Sequence, residues 1–369
     1  MYNTKSRVPS VPNVMKDPFG RTIDYLRISV TDRCNFRCVY CMPEQGFPVA
    51  PKPELLTFEE LERLVRIAAS LGMRKIRLTG GEPLVRKDLP ELVARFSAIP
   101  GIDEISLTTN AYLLDLYAKP LKEAGLTRIN VSLDTLQSDR FKAIARRGDF
   151  ERTMRGIQLA QEVGLHPLKV NCVAMRGVND DEFVEFARWT LEEDVHVRFI
   201  EIMPIRWNMD EVGGFDAMQP HGDRGLLQLN KVEGDMLTDL QMRKMMINAS
   251  EIIDRIEMAL GPLEPHEIPT NGPARTYKLA GAKGTVGFIS QISHDLCVRC
   301  NRLRLTADGF LRPCLMSDGE LSLRDPMRAG ASDEDLRDLI LHVVAHKPER
   351  HYLAEGQKVT GRGMSQIGG

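Results

Sequence analysis

The sequence predicts an α/β fold: an incomplete, six-stranded parallel β/α barrel with a β-rich C-terminal extension. Three observations predict it. Strand-like runs alternate with helical periodicity through the first two hundred residues, one face of each run is polar, and two tight groups of cysteines stand outside that alternation. The runs are 26–30, 75–79, 104–109, 128–134, 168–174 and 196–203. Strands alternating with helices imply parallel pairing through right-handed crossovers, in a barrel or a doubly wound sheet. The faces choose between the two. Arg27 and Ser29 share one side of the first run, Lys75, Arg77 and Thr79 one side of the second. Ser106 with Thr108, Asn130 with Ser132 and Asp134, and Lys169 with Asn171 follow, all opposite aliphatic faces. A sheet covered by helices on both sides reads as continuous apolar runs, and a complete eight-stranded barrel fills its interior with bulky side chains. Polar inner faces therefore predict an open barrel around a large polar ligand.

Taken in order, residues 1–20 carry several prolines and no apolar run, and are expected to be a flexible segment rather than a signal peptide or a span. Residues 21–204 form the barrel. Thr57 with Glu60 reads as a capping box that opens an amphipathic helix reaching Leu71, and Asn179 with Glu182 as another helix start before 183–193. Residues 205–235, with Gly213-Gly214 and a Pro220-His221-Gly222-Asp223 turn, read as an irregular insertion. Residues 236–369 are expected to close the barrel. This region starts with one helix over 236–260, stopped at Gly261-Pro262, followed by strands 276–279 and 285–290 and a hairpin turning at Asp308-Gly309. The tail, 361–369, has too little apolar content to be expected to pack.

A chain of 369 residues can bury a substantial core. With 49 basic and 51 acidic residues its formal charge is −2, so no bulk field argues for nucleic acid or a membrane surface, and any bound anion needs a local cluster of cations. No stretch approaches the roughly 20 apolar residues of a transmembrane helix. Seven cysteines are too few for a disulfide scaffold of this size, and six fall in two groups, which favours metal thiolates in a reducing, cytoplasmic compartment. The seventh, Cys172, alternates with Leu168 and Val170 onto an apolar face and reads as structural.

Cys34, Cys38 and Cys41 can converge on one metal centre but supply only three ligands. A closed zinc site wants four, whereas a cubane iron–sulfur cluster on three thiolates keeps one iron open. A zinc knuckle is the alternative. Cys297, Cys300 and Cys314 form a second triplet, which His294 would convert into a zinc site. Arg302 and Arg304 alternate onto one face of the strand leaving it, where two guanidiniums can hold phosphate oxygens bidentately or simply form a solvated basic strand.

The Cys-x3-Cys-x2-Cys loop, with Tyr40 before its last cysteine, and the segment Leu78-Thr79-Gly80-Gly81-Glu82-Pro83 resemble the radical S-adenosylmethionine (radical SAM) enzymes. Asn271-Gly272-Pro273-Ala274-Arg275, Gly281-Ala282-Lys283-Gly284, the 297–314 segment and Gly368-Gly369 resemble the GTP-cyclising members that open molybdenum cofactor biosynthesis. The resemblance spans roughly 20–204 and 270–369. It implies a radical-generating [4Fe-4S] cluster on Cys34, Cys38 and Cys41, and S-adenosylmethionine seated by the Tyr40 backbone, Gly81, Ser132, Arg198 and Met203. It further implies a second [4Fe-4S] cluster on Cys297, Cys300 and Cys314 that binds guanine. Arg27, Lys75, Arg77, Lys169, Arg302 and Arg304 would clamp the triphosphate, with Thr108 on the nucleotide side. Hydrogen removal from ribose C3′ and attack on guanine C8 would yield the cyclised dihydro-GTP. A reducing electron donor and a downstream molybdopterin-pathway enzyme are the implied partners of a monomer or homodimer. The chain departs from the family pattern in the insertion after Met203-Pro204 and in Thr276, where an aromatic is usual. The competing readings are another two-cluster radical SAM enzyme, such as a peptide maturase, and a zinc-binding interaction module without catalysis.

Overall fold

β-Branched and aliphatic runs pair in parallel, and amphipathic helices cover their outer faces. The computed structural model describes residues 14–203, 236–268, 272–293, 296–352 and 362–368. Strands β1 (Tyr25–Ser29), β2 (Lys75–Thr79), β3 (Glu104–Thr109), β4 (Arg128–Ser132), β5 (Leu168–Ala174) and β6 (Val195–Glu201) pair consecutively and in parallel. Helices α1 (Phe58–Ser70), α2 (Leu89–Ser97), α3 (Leu114–Glu123), α4 (Ser138–Ala145), α5 (Phe150–Glu162) and α6 (Phe183–Glu192) lie between them. The capping box is present: the Thr57 side chain accepts from Glu60 N at the start of α1, and the Glu60 carboxylate accepts from Thr57 N. Leu61, Leu64, Val65 and Ala68 then pack onto the aliphatic strand faces. Cys172 lies in this core, fully buried.

The C-terminal region adds strands β7 (Glu264–Pro265), β8 (Arg275–Lys278), β9 (Thr285–Ile289), β10 (Arg302–Leu305), β11 (Phe310–Arg312) and β12 (Leu321–Ser322). β9 joins β6 in parallel and β10 joins β1 in parallel, so both open edges of the six-stranded array are extended by distant chain. Edge strands present unpaired backbone groups, and here the C-terminal region satisfies them. Gly309, at φ +87°, turns the hairpin that pairs Arg304 with Arg312, as Asp308-Gly309 suggested.

Several expectations are corrected. The 236–260 segment is not one helix. Asp239–Lys244, with a Thr238/Gln241 capping box, is separated from Ala249–Leu260 because the Met245 carbonyl accepts from Arg176 N and Ile247 turns into the core. α6 does start at Phe183 with Glu182 as its N-cap residue, but neither Asn179 nor Glu182 caps it through its side chain. Asn179 donates to the Asp134 and Val173 carbonyls, while Glu182 accepts from Thr135 Oγ1 and Leu136 N, so both tie loops together. Residues 14–20 are anchored rather than flexible: Met15 is buried, and Asp17 pairs at 2.5 Å with Arg21, which also donates to the Cys297, Pro348 and Glu349 carbonyls. The tail packs over its described part, where Ile367 sits against Leu315 and Met316. The insertion and His294 lie outside the described residues. No helix among the described residues is long and apolar enough to cross a membrane.

Candidate active site

Two cavities lie along the barrel axis. The first, about 260 Å³, runs from the C-terminal ends of the strands, at Thr79, Thr109 and Glu201, down to Tyr25 and Arg302 at the starts of β1 and β10, and the second, about 870 Å³, lies at the N-terminal ends; both touch Arg198, Gly272, Pro273 and Arg302. The first cysteine loop caps the upper cavity. Glycine holds it there: a Cβ on Gly80 would lie 2.2 Å from the Thr31 carbonyl oxygen, and one on Gly81 2.3 Å from that of Arg33. The close approach lets Gly81 N donate to Thr31 O at 2.9 Å and Glu82 N to Arg33 O at 2.8 Å. The buried Glu82 carboxylate accepts from Thr109 Oγ1 and Asn110 N, each at 2.7 Å, and burial pushes its pKa up to about 7. On the other side Phe36 packs edge-on against Phe141 and Tyr112, and the Tyr40 hydroxyl donates to Asp134 at 2.8 Å. Asp134 also accepts from Val173 N, and burial pushes it up to about 6.

Cys34, Cys38 and Cys41 all line the upper cavity. Burial, with Glu82 beside it, pushes the Cys34 thiol up to about 12; burial and Asp134 push Cys41 up to about 11 and Cys38 higher than an ordinary thiol. Thiols held this way ionise only against a cationic centre, as metal ligation requires. Among the described residues no three His, Cys, Asp or Glu side chains converge on a point suited to a single ion. A cubane gives each thiolate its own iron and so spreads them wider than one tetrahedral zinc does. The donor set fits a three-thiolate cluster.

Cys297, Cys300 and Cys314 line neither cavity, and Cys300 has the opposite electrostatics from the first triplet. Burial raises the Cys300 thiol, but Lys347, Arg302 and Arg304 outweigh it and bring it below the ordinary value. Lys347 donates to the carbonyls of Arg302 (2.9 Å) and Pro313 (2.5 Å), stapling the strand that leaves Cys300 to the one that returns to Cys314.

Below the first cysteine loop the barrel wall is cationic. Arg27, Arg77, Thr108, Arg302 and Arg304 line the upper cavity, and Lys169, Arg198 and Arg302 the lower. Strand register sets Arg304, Arg27 and Arg77 side by side. Ser132, Met203, Gly81 and Tyr40 line the upper cavity with Arg198, which donates to Asn130 at 2.7 Å. Lys75 lines neither cavity. It starts β2 beside Tyr25, a layer below Arg77. Burial, reinforced by Arg198, Arg128 and Arg77, pushes Lys169 down to about 6. The tail reaches this wall: Arg304 Nη1 donates to the Gly368 carbonyl at 2.5 Å, and Arg362 is clasped by Asp308 and Glu320. Arg128, ion-paired with Glu104, was absent from the residues singled out on sequence grounds, although alternation from Asn130 marks it as inward.

A partial barrel capped by a three-cysteine loop, with a Gly-Gly-Glu segment pressed against it, defines a radical SAM enzyme, and the family model "Radical SAM superfamily" matches residues 28–190. "Molybdenum Cofactor Synthesis C" matches 228–353. The chain belongs to the GTP 3′,8-cyclase family: it is 49% identical over 356 residues to the GTP 3′,8-cyclase of Pelotomaculum thermopropionicum, covering 96% of this chain and 100% of that protein. It is 42% identical over 368 residues to that of Listeria monocytogenes, covering 96% and 99%. The crystal structure of Streptococcus suis SuiB shares the fold, with a TM-score of 0.51 at 16% identity over 92% of this chain and 70% of that one.

Proposed function

We propose that the chain is a radical SAM lyase that isomerises GTP to (8S)-3′,8-cyclo-7,8-dihydroguanosine 5′-triphosphate, the first step of molybdenum cofactor biosynthesis. One observation carries the reading: a single cavity is lined by Cys34, Cys38 and Cys41 on one side and by Arg27, Arg77, Arg302 and Arg304 on the other, and the last two arginines also act on Cys300. When bound, S-adenosylmethionine and a reduced [4Fe-4S] cluster supply a carbon-centred radical able to take one hydrogen atom from an unactivated carbon. Cys34, Cys38 and Cys41 hold that cluster, and Tyr40, Gly81, Ser132, Arg198 and Met203 seat the cofactor. Cys297, Cys300 and Cys314 hold a second [4Fe-4S] cluster that orients the guanine. Arg27, Arg77, Lys169, Arg302 and Arg304 grip the triphosphate, Lys75 adds charge from the layer below, and Thr108 faces the nucleotide. Fixing base and phosphates at separate points presents C3′ and C8 to each other, which lowers the entropic part of the barrier. The reaction draws on an external electron donor, and a downstream enzyme of the pathway receives the product.

The test is anaerobic incubation of the reconstituted protein with S-adenosylmethionine, a strong reductant and each nucleoside triphosphate in turn. GTP alone is expected to disappear, replaced by an isomer of unchanged mass. Turnover of ATP or CTP at a similar rate, or zinc in place of iron in the purified protein, would sink the reading.

Lys169 gives a pH signature. A lysine held near 6 is mostly neutral at pH 7.5, and a polyphosphate beside it restores the ordinary preference for the charged form. Wild type should therefore take up about one proton more per nucleotide than Lys169→Met. GTP affinity should fall as pH rises from 6 toward the bound-state pKa. Titration calorimetry in buffers of different ionisation heat reads the difference, and equal proton uptake by the two proteins would contradict the assignment.

A further inference from the structure

Tyr25 opens β1 two residues before Arg27, and alternation turns it to the same inner face. Register sets it beside Arg302 on one side and Lys75 on the other. It lines the upper cavity, is only 3% exposed, and its ring carries the Arg77 guanidinium 5.4 Å from the centroid. Its hydroxyl is buried and has no hydrogen-bond partner among the described residues.

Buried phenols ordinarily find a partner, because the desolvated hydroxyl is otherwise costly. The surroundings explain why the protein supplies none for this proton. Guanidiniums are donors only, and Arg77, Arg27, Arg128 and Arg302 are the charged groups acting on Tyr25. Glu104, the carboxylate that also acts on Arg77, is occupied by Arg128. The Asn130 side-chain oxygen is occupied by Arg198, and the Ser106 hydroxyl accepts from Arg77. The missing partner is an acceptor-rich anion, and the same arginines attract one.

We propose that Tyr25 is a substrate-positioning residue whose hydroxyl donates a hydrogen bond to a phosphate oxygen of the bound polyphosphate, alongside Arg77 and Arg302. The inference rests on the reading that a nucleoside triphosphate fills the cavity. Burial raises the phenol pKa, but the four arginines prevail and leave it below the ordinary value. A polyphosphate that neutralises them and accepts the proton reverses this shift.

The experiment uses anaerobically reconstituted holoenzyme. Tyr25→Phe removes one oxygen and should weaken GTP binding roughly tenfold, leaving guanosine binding, iron content and S-adenosylmethionine binding unchanged. Tyrosine-labelled carbon NMR follows the phenol in the wild type, without substitution. The resonance lost in Tyr25→Phe should titrate below the usual tyrosine range without ligand and above it with GTP or inorganic tripolyphosphate. If tripolyphosphate shifts that titration while GTP does not bind, the phosphate contact stands and the nucleotide reading fails. If GTP binds wild type and variant equally and leaves the titration unmoved, the contact is overturned and the nucleotide reading survives.

Discussion

Replacing Cys34 by serine is expected to abolish reductive cleavage of S-adenosylmethionine altogether, while Cys314→Ser leaves uncoupled cleavage measurable but stops formation of the cyclised nucleotide. The two triplets sit in different settings. Cys34 lies in the loop pressed against Gly80 and Gly81 and lines the upper cavity with Ser132 and Met203. Cys314 follows the β11 return strand, beside Lys347 and the arginines of β10. A thiolate lost from a three-thiolate cubane leaves an iron without its protein ligand, so each substitution should remove up to about four of about eight irons per chain. The readouts are iron per chain and the amounts of 5′-deoxyadenosine and cyclised nucleotide formed. Equal loss of cleavage in both variants, with the untouched cluster intact in each, would contradict the division of labour.

Arg304→Ala should have the next largest effect. Arg304 is buried, lies level with Arg27 across the β1–β10 pairing, and remains charged at neutral pH although burial and Arg302 push it down to about 10. A charge-assisted contact to a buried phosphate is worth ~1.5–3 kcal/mol, roughly tenfold to a hundredfold in affinity. The variant should lose that much affinity for GTP, bind S-adenosylmethionine normally and keep its iron. GMP should bind wild type far more weakly than GTP, and the variant should discriminate less between the two. Its guanidinium donates to the Gly368 carbonyl, so the anion and the tail carbonyl draw on the same donors. Equal proportional loss of both ligands would contradict a role in gripping the outer phosphates.

What the sequence made legible is what local periodicity controls. Arg27, Arg77, Thr108, Ser132 and Asn171 all line the upper cavity because a strand's side chains alternate with period two, whatever the strand pairs with. The Thr57/Glu60 capping box and the Asp308-Gly309 turn were legible for the same reason, each being complete within a few residues. Pairings between distant segments were not. Closure by residues 236–369 was expected, but β9 against β6 and β10 against β1 join strands separated by an insertion and by most of the chain, so which strand meets which edge had no local sign. Side chains with several possible partners were also opaque. Asn179 resembles an N-cap, but its amide finds better partners in the carbonyls of Asp134 and Val173. Tyr25 and Arg128 lay on a face already recognised as polar, yet only the spatial arrangement showed that Glu104 serves Arg128 and that the Tyr25 hydroxyl has no hydrogen-bond partner among the described residues. The tail was expected not to pack because it is poor in apolar residues, and it packs through Ile367, the Arg362 clasp and close approach at Gly363, where a Cβ would lie 2.6 Å from Phe47.

The central claim is that this cavity joins C3′ of the ribose to C8 of the guanine in one GTP molecule. GTP deuterated at C3′ and GTP deuterated at C8 test it directly, in separate anaerobic reactions analysed by mass spectrometry. The account predicts that the C3′ label leaves the nucleotide and is recovered in 5′-deoxyadenosine, while the C8 label stays in the product. Retention of deuterium at C3′, or recovery in 5′-deoxyadenosine of a label from any other ribose position, would contradict it.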